Sequence, residues 1–546
     1  MKIISQIIIA AALTASVTPV ADACTSFLVG KKASADGSAM ITYAADSHTL
    51  YGDITHTPAA DHKKGATREV RDWDSNRYLC DIPQPAHTYA VTGNMNEHGL
   101  AIGESTWGGR EELWGDKGID YGSLIYIALE RARTAREAIN VMTSLVADYD
   151  YASEGESFSI SDGDEVWLME MIGKGKEEKG AVWVARRVPD DCIAAHANHS
   201  RIHRFPLDEP ETTLYSPDVI EFARKRGLYE GPDSLFSFSR AYAVTDQGAT
   251  RGCDGRVYSF YRRHTSPEAM DTYLPWVLRA EGEPLPLWVK PSSPLTVDMV
   301  KNDMRDHFEG TVLDMTEDVG AGAYTVPYRW RPLTYKVDGE TYTHERATAT
   351  QQTGFSFVAQ LDRNAPKGMK GILWFGVDDT NTCVYVPIYA SSTSVPHEFA
   401  RGNGDLLTLS WDAAFWVNNY VANQAYNRYS QMIPDIRKVQ QAEESALAGE
   451  VASLRNEVAS LSDTEAAARL EAHSAEAAAR YVKNYKALGD YLLVKYLDGN
   501  VKKTDSDGNF RRTADGVCEY PDFPGYNDDY YRAIVRQTGD KFKVTE

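Results

Sequence analysis

The N-terminal segment decides where this chain can begin to fold. Lys2 precedes an apolar run, Ile7-Ile8-Ile9-Ala10-Ala11-Ala12-Leu13, and small residues then lead to Ala21-Asp22-Ala23. A basic start, a short apolar stretch and an A-x-A site are the marks of a secretory leader, and the stretch is too short to cross a bilayer. Residues 1–23 are therefore expected to be removed as a signal peptide, leaving Cys24 as the first residue of an exported protein, periplasmic or extracellular. No later stretch approaches eighteen apolar residues, so no membrane span is expected.

Cys24 has three readings: an ordinary strand cysteine, the lipid-bearing cysteine of a lipoprotein, or an N-terminal nucleophile. A lipobox usually has a large aliphatic residue three positions before its cysteine; here that position is Ala21, followed by Asp22. The third reading has a chemical logic of its own. A thiolate is a strong nucleophile, and an α-amine with a pKa of about 7.7–8.0 serves as its base. Cleavage frees that amine. The residues that follow read as a hairpin: Thr25-Ser26-Phe27-Leu28-Val29 is β-prone, Ala35-Asp36-Gly37-Ser38 is a turn, and Ser38–Tyr43 is the return strand. Folding about residues 35–36 places Cys24 opposite residues 46–48, with Asp46 at the near end to hold the amine.

Composition narrows the partners. The 546 residues are 43% hydrophobic and 25% charged, ordinary globular usage with enough length for a large core. A net charge of −21 repels phosphate backbones and argues against nucleic acid as a partner. Six cysteines without a C-x-x-C pair fit neither a disulfide scaffold nor a zinc ribbon. His196, His199 and His203 lie close together but lack H-E-x-x-H spacing, so they are read as packing or site-adjacent residues and no metal is expected. Asp505-Ser506-Asp507-Gly508 is read as a plain turn, because a calcium loop here would have Lys503 and Ala514 at ligand positions.

The segment Cys24-Thr25-Ser26-Phe27-Leu28-Val29-Gly30 through Ala35-Asp36-Gly37-Ser38 resembles the opening of the dipeptidases of peptidase family C69, among the N-terminal-nucleophile (Ntn) hydrolases related to choloylglycine hydrolases and penicillin V acylases. Asn94-Met95-Asn96-Glu97-His98-Gly99-Leu100-Ala101-Ile102, Asp120-Tyr121-Gly122-Ser123-Leu124, Phe158–Asp162, Ala195-His196-Ala197-Asn198 and Val386-Pro387-Ile388-Tyr389 resemble further family segments in the same order. The resemblance implies an α+β fold, a four-layer αββα sandwich, with a C-terminal helical extension. It implies a secreted dipeptidase with catalytic Cys24, Asp46 and Asn198, acting on small peptides through a thioester, with no cofactor. Where relatives tend to read R-N-x-D, this chain reads Tyr43-Ala44-Ala45-Asp46; Arg256, in the strand-like run Arg256-Val257-Tyr258-Ser259-Phe260, is the candidate substitute for the lost arginine. Glu97 and Glu104 are candidates to receive a substrate ammonium. An amidase acting on non-peptide acyl amides and a lipid-anchored binding protein are the alternatives.

Residues 24–400 are expected to form the catalytic domain, 401–497 a helical extension packed on it, and 498–546 a tail. Ser123–Arg133 and Ala135–Leu145 read as helices, with Thr134 and Glu137 as a capping box between them. Ser157–Ile160 and Glu165–Met171 read as a hairpin, and residues 206–235 and 263–300 as long connections. Leu447, Val451, Leu454, Val458 and Leu461 make a helical stripe, either packed on the core or offered to a second copy as a homo-oligomer contact. Ser462 and Glu465 open a further helix that stops near Gly499. The remaining cysteines, Cys80, Cys192, Cys253, Cys383 and Cys518, are read as buried residues or at most one or two disulfides.

Overall fold

Residues 24–544 are described by the computed structural model, so the expected leader lies outside the described residues. Strands Ser26–Val29 and Ala39–Asp46 form the expected antiparallel hairpin. Leu28 faces Ile41 and Thr25 faces Ala44, a register that brings Ala45 level with Cys24 rather than residues 46–48. The connection is lopsided. The amides of Gly30 and Lys32 bond to the carbonyls of Cys192 and Asp190 in the neighbouring strand's approach, so the first strand ends early. Asp36 then closes the turn by accepting from Ser34 Oγ and from the amide and hydroxyl of Ser38.

The fold mixes helix and sheet. Trp288–Val289, Ile193–His196, Ser26–Val29, Ala39–Asp46, Thr353–Leu361, Gly371–Val377 and Val386–Tyr389 make one antiparallel sheet in that order. A second, eight-stranded antiparallel sheet is built around Ala101–Gly108, Gly155–Ser161, Val166–Gly173 and Ala181–Arg187. Its strands lie against Ala39–Asp46, all eight residues of which are buried. Gly103 permits that approach, since a Cβ there would stand 3.1 Å from the Cβ of Tyr43. Helices Tyr121–Arg131 and Ala135–Tyr149 pack on the second sheet; Gly255–His264, Val297–Asp303 and the C-terminal helices pack on the first.

Local signals account for most of these elements. Thr134 Oγ1 accepts from the Glu137 amide as expected, although the Glu137 carboxylate reaches the Arg133 amide rather than that of the cap itself. Ser462 and Glu465 form a complete capping box opening Asp463–Lys495. Two further expectations need correction. Arg256 lies on the helix Gly255–His264, not a strand; every residue from Gly255 to Tyr261 is buried, so no helical period shows in the sequence. The supposed connections carry helices as well, including Val219–Lys225, Leu274–Arg279 and Val297–Asp303, each of seven residues or fewer and too short for a clear period. All six cysteines are free.

Ala414–Asn427, Tyr429–Val458 and Asp463–Lys495 form the C-terminal helices. The last two cover Val386–Tyr389, the edge strand whose Pro387 lacks an amide to offer a further strand. Leu447, Leu454 and Val458 of the stripe are buried in the same core as Cys24, with Val451 and Leu461 packed against it. Among the described residues, no helix is long and apolar enough to cross a membrane.

A buried ion pair ties these helices to the sheet. Arg305 donates to Glu444 Oε1 at 2.6 Å, and the Tyr385 amide donates to the same oxygen at 3.0 Å. Glu444→Ala strands that guanidinium, and the variant is expected to lose about 3–5 kcal/mol of stability. Urea unfolding of both proteins measures the loss; a change below about 1 kcal/mol would show that the pair carries little of the contact.

Candidate active site

Strand pairing brings the site together. Ile193–His196 runs antiparallel to Ser26–Val29, with Ser26 facing His196. The segment leaving that strand, Ala197-Asn198, therefore emerges beside the residue that begins the other, Cys24. Asn198 adopts a left-handed conformation, φ 58°, which asparagine tolerates better than most residues.

The Arg256 guanidinium joins the two segments. It donates to the Cys24 carbonyl and to Thr25 Oγ1, both at 2.7 Å. Its other nitrogen donates to the Ala197 carbonyl at 3.2 Å and to Asn198 Oδ1 at 3.0 Å. Burial foremost, then the neighbouring Arg346, lowers its pKa to about 9, so it stays positive at neutral pH. The sequence reading named Arg256 as the substitute for a missing arginine, and the structure places it on the main chain of Cys24. Asn198 also donates through Nδ2 to the Thr106 carbonyl at 2.5 Å.

Asp46 is buried. Its carboxylate ion-pairs with Arg346 and accepts from Thr353 Oγ1 at 2.6 Å, while its backbone N–H faces the Cys24 sulfur. Burial raises the carboxyl pKa, opposed chiefly by Arg346. Arg346 also donates to Thr25 Oγ1 at 3.3 Å. The sequence reading missed Arg346. It stands 300 positions from Asp46 in a loop without a motif, so nothing in a single sequence marks it.

The Cys24 thiol opens on a cavity of about 470 Å³ walled by Tyr43, Asp46, Glu104, Thr106, Tyr121 and the turn Arg71–Asn76, among others. Asn198 is not among the described residues that line it; it reaches Cys24 through Arg256. Burial, then the carboxylates of Glu104 and Asp46, raise the thiol pKa well above its ordinary value. The sulfur therefore rests as S–H and needs a base. Glu104 Oε1 lies 3.4 Å from the sulfur and also accepts from the Tyr43 hydroxyl. Glu97 is elsewhere: it is exposed and accepts from the Ala90 amide, so its candidacy as an ammonium receptor ends.

The histidines are structural neighbours of the site. His196 lies between Ser105 Oγ at 2.6 Å and Ser159 Oγ at 2.7 Å, and Ser105 Oγ accepts from the Asn198 amide. Burial, then Arg201 and Arg256, lower the His196 pKa to about 3, so the ring is neutral, donating to one serine and accepting from the other. His199 pairs with Asp254 at 3.0 Å, and His203 bonds to Ser237.

The model of peptidase family C69 matches residues 23–85 and 54–442. A probable dipeptidase of Latilactobacillus sakei is 25% identical over 438 residues, 76% of this chain and 84% of that protein. A probable dipeptidase of Salmonella dublin is 25% identical over 388 residues, 67% of this chain and 81% of its own. Probable dipeptidase A of Streptococcus pyogenes serotype M3 is 26% identical over 480 residues, 81% and 94% of the two chains.

The neutral His196 gives the site a pH signature. Its folded pKa of about 3 lies below the 6.5 of an exposed ring, so between those values the unfolded chain binds a proton that the folded one refuses. Its contribution is complete above pH 6.5 and is lost as pH falls towards 3. Unfolding free energy measured from roughly pH 6 to 4 should therefore fall less steeply in His196→Gln, by about 1.4 kcal/mol per pH unit. Equal slopes would mean that the ring titrates normally in the folded protein.

Proposed function

The chain belongs to peptidase family C69, and from that premise we propose that it is an exported cysteine-type dipeptidase whose nucleophile is the N-terminal Cys24 left by removal of residues 1–23. One observation carries this reading. The Cys24 thiol stands at the cavity wall, and no histidine is among the described residues lining that cavity. A base brought by the cysteine itself meets the need. While Ala23 is attached, the Cys24 nitrogen is an amide without basicity; cleavage turns it into an amine two bonds from the carbon that bears the sulfur.

The proposed sequence of events uses only protein groups and water. The α-amine takes the thiol proton, and the sulfur attacks the carbonyl carbon of the scissile bond. Charge then develops on the carbonyl oxygen, where preorganised donors lower the barrier. Asn198 is the side-chain donor proposed for it; its Nδ2 stands on the carbonyl of Thr106, a residue of the cavity wall, and Arg256 holds its Oδ1. Collapse of the adduct expels the leaving amine, which takes the proton from the α-ammonium, and water hydrolyses the Cys24 thioester. Asp46, with Arg346, orders the strand end beside the nucleophile.

Further features support the reading. Two stacked sheets with helices outside both agree with the four-layer αββα arrangement of Ntn hydrolases. The names of the relatives agree with dipeptides as substrates. Arg71, Asp72, Glu104 and Arg401 give the cavity charged groups of both signs, which suit a dipeptide with two charged ends better than an apolar acyl chain.

Two preparations test the base. Processed enzyme beginning at Cys24 should hydrolyse dipeptides, and enzyme retaining one residue before Cys24 should show less than about 1% of that kcat, since base catalysis is worth 10²–10⁴-fold. Cys24→Ala should be inactive with an unchanged far-UV spectrum. Normal turnover by the extended form would assign the base elsewhere, and activity in Cys24→Ala would end the nucleophile reading.

A further inference from the structure

Behind Cys24 the second sheet carries two buried carboxyl groups that the mechanism does not use. Thr106 pairs with Glu156 across Ala101–Gly108 and Gly155–Ser161, and Glu104 stands two residues from Thr106 on the same face. Glu104 and Glu156 are therefore diagonal neighbours. Glu104 is 1% exposed and Glu156 fully buried. Thr106 Oγ1 donates to Glu156 Oε2 at 2.9 Å, and the two carboxyl groups are in hydrogen-bond contact with each other. Two carboxyls this close in a buried site hold one proton between them. Burial is the main cause that raises both pKa values, Glu156 well above its ordinary value with Glu104 adding to the rise. No lysine or arginine among the described residues ion-pairs with either group.

A buried charge without a cation is costly unless a cation arrives with the ligand. We propose that Glu104, the member of the pair that faces Cys24 and the cavity, receives the N-terminal ammonium of the substrate and so fixes cleavage one residue from a free amine. The inference rests on the peptidase reading and adds the group that measures the substrate.

Bond geometry supplies the ruler. In an N-terminal residue the ammonium nitrogen lies about 2.5 Å from the carbonyl carbon, across a single Cα. A sulfur poised to attack stands about 3–3.5 Å from that carbon. Glu104 Oε1, 3.4 Å from the Cys24 sulfur, is thus within hydrogen-bond reach of the ammonium while the carbonyl faces the thiol. An internal residue presents a neutral amide at that point, and an N-acyl group removes the charge and adds bulk. Tyr43 fits the same scheme. Its hydroxyl donates to Glu104 without cancelling the charge, whereas an arginine at that position would supply the very cation that the substrate brings.

The test compares alanyl-alanine with N-acetyl-alanyl-alanine on processed enzyme. The wild-type protein is expected to prefer the free amine by at least about 100-fold in kcat/KM, because a site built around a charged hydrogen bond rejects the analogue lacking it. Glu104→Gln should reduce that preference below about 10-fold, and Glu104→Asp, which keeps the charge, should retain more of it; this second variant guards against loss through misfolding. Equal hydrolysis of both substrates by the wild type would overturn the inference and leave the peptidase reading standing. A Glu104→Gln variant that slows both substrates alike would also overturn it, placing Glu104 on the nucleophile rather than the substrate. Hydrolysis of neither substrate by the wild type would overturn both.

Discussion

The site depends on one buried guanidinium. Arg256 binds the main chain of Cys24, the hydroxyl of Thr25, the carbonyl of Ala197 and the side chain of Asn198, and so fixes the start of one strand against the exit of its neighbour. It does this in a place where burial and a second arginine both oppose its charge. Asp46 accounts for that second charge: its carboxylate pairs with Arg346, and Arg346 also bonds to Thr25. Two cations and a carboxylate thus converge on the two residues that open the fold. Such networks are worth most when every member is satisfied, because an unpaired charge in a dry interior costs several kcal/mol.

The carboxyl pair on the opposite wall has the converse character. Arg256 and Asp46 are spent on protein partners, while Glu104 faces the cavity with no cation of its own. The two sides divide the work in the proposed function: one holds the nucleophile's backbone, and the other holds a charge for the substrate to meet. The thiol between them is neutral at rest, raised by burial and by both nearby carboxylates. In the proposed function, the α-amine freed by cleavage takes the thiol proton at the moment of attack.

Local chemistry made much of this legible in the sequence. The turn at Asp36, the caps at Thr134 and Ser462, and the hairpin around Asp162-Gly163-Asp164 follow from side chains that satisfy amides within a few residues. Cys24, Asp46 and Glu104, which the fold brings to one cavity, are marked in the sequence by position along a strand or a motif. What stayed hidden depends on distant packing. Arg346 meets Asp46 across 300 residues, and Glu156 meets Glu104 only through sheet register. Arg256 was found but put on a strand, because a helix buried on every side has no polar face to reveal its period. The hairpin register, which puts Ala45 rather than residues 46–48 level with Cys24, goes with Gly30 and Lys32, whose amides bond to the turn before Ile193–His196. Glu97 misled for the opposite reason: it lies near the right strand in sequence but points into a turn outside the site.

The central claim is that cleavage exposes a free cysteine at position 24, and the intact mass of the exported protein tests it most directly. The account predicts a mass equal to residues 24–546, with one further thiol-alkylation site at the new N-terminus whose amine is unmodified. A mass that retains the leader, or one increased by a diacylglyceryl group on Cys24, would contradict it.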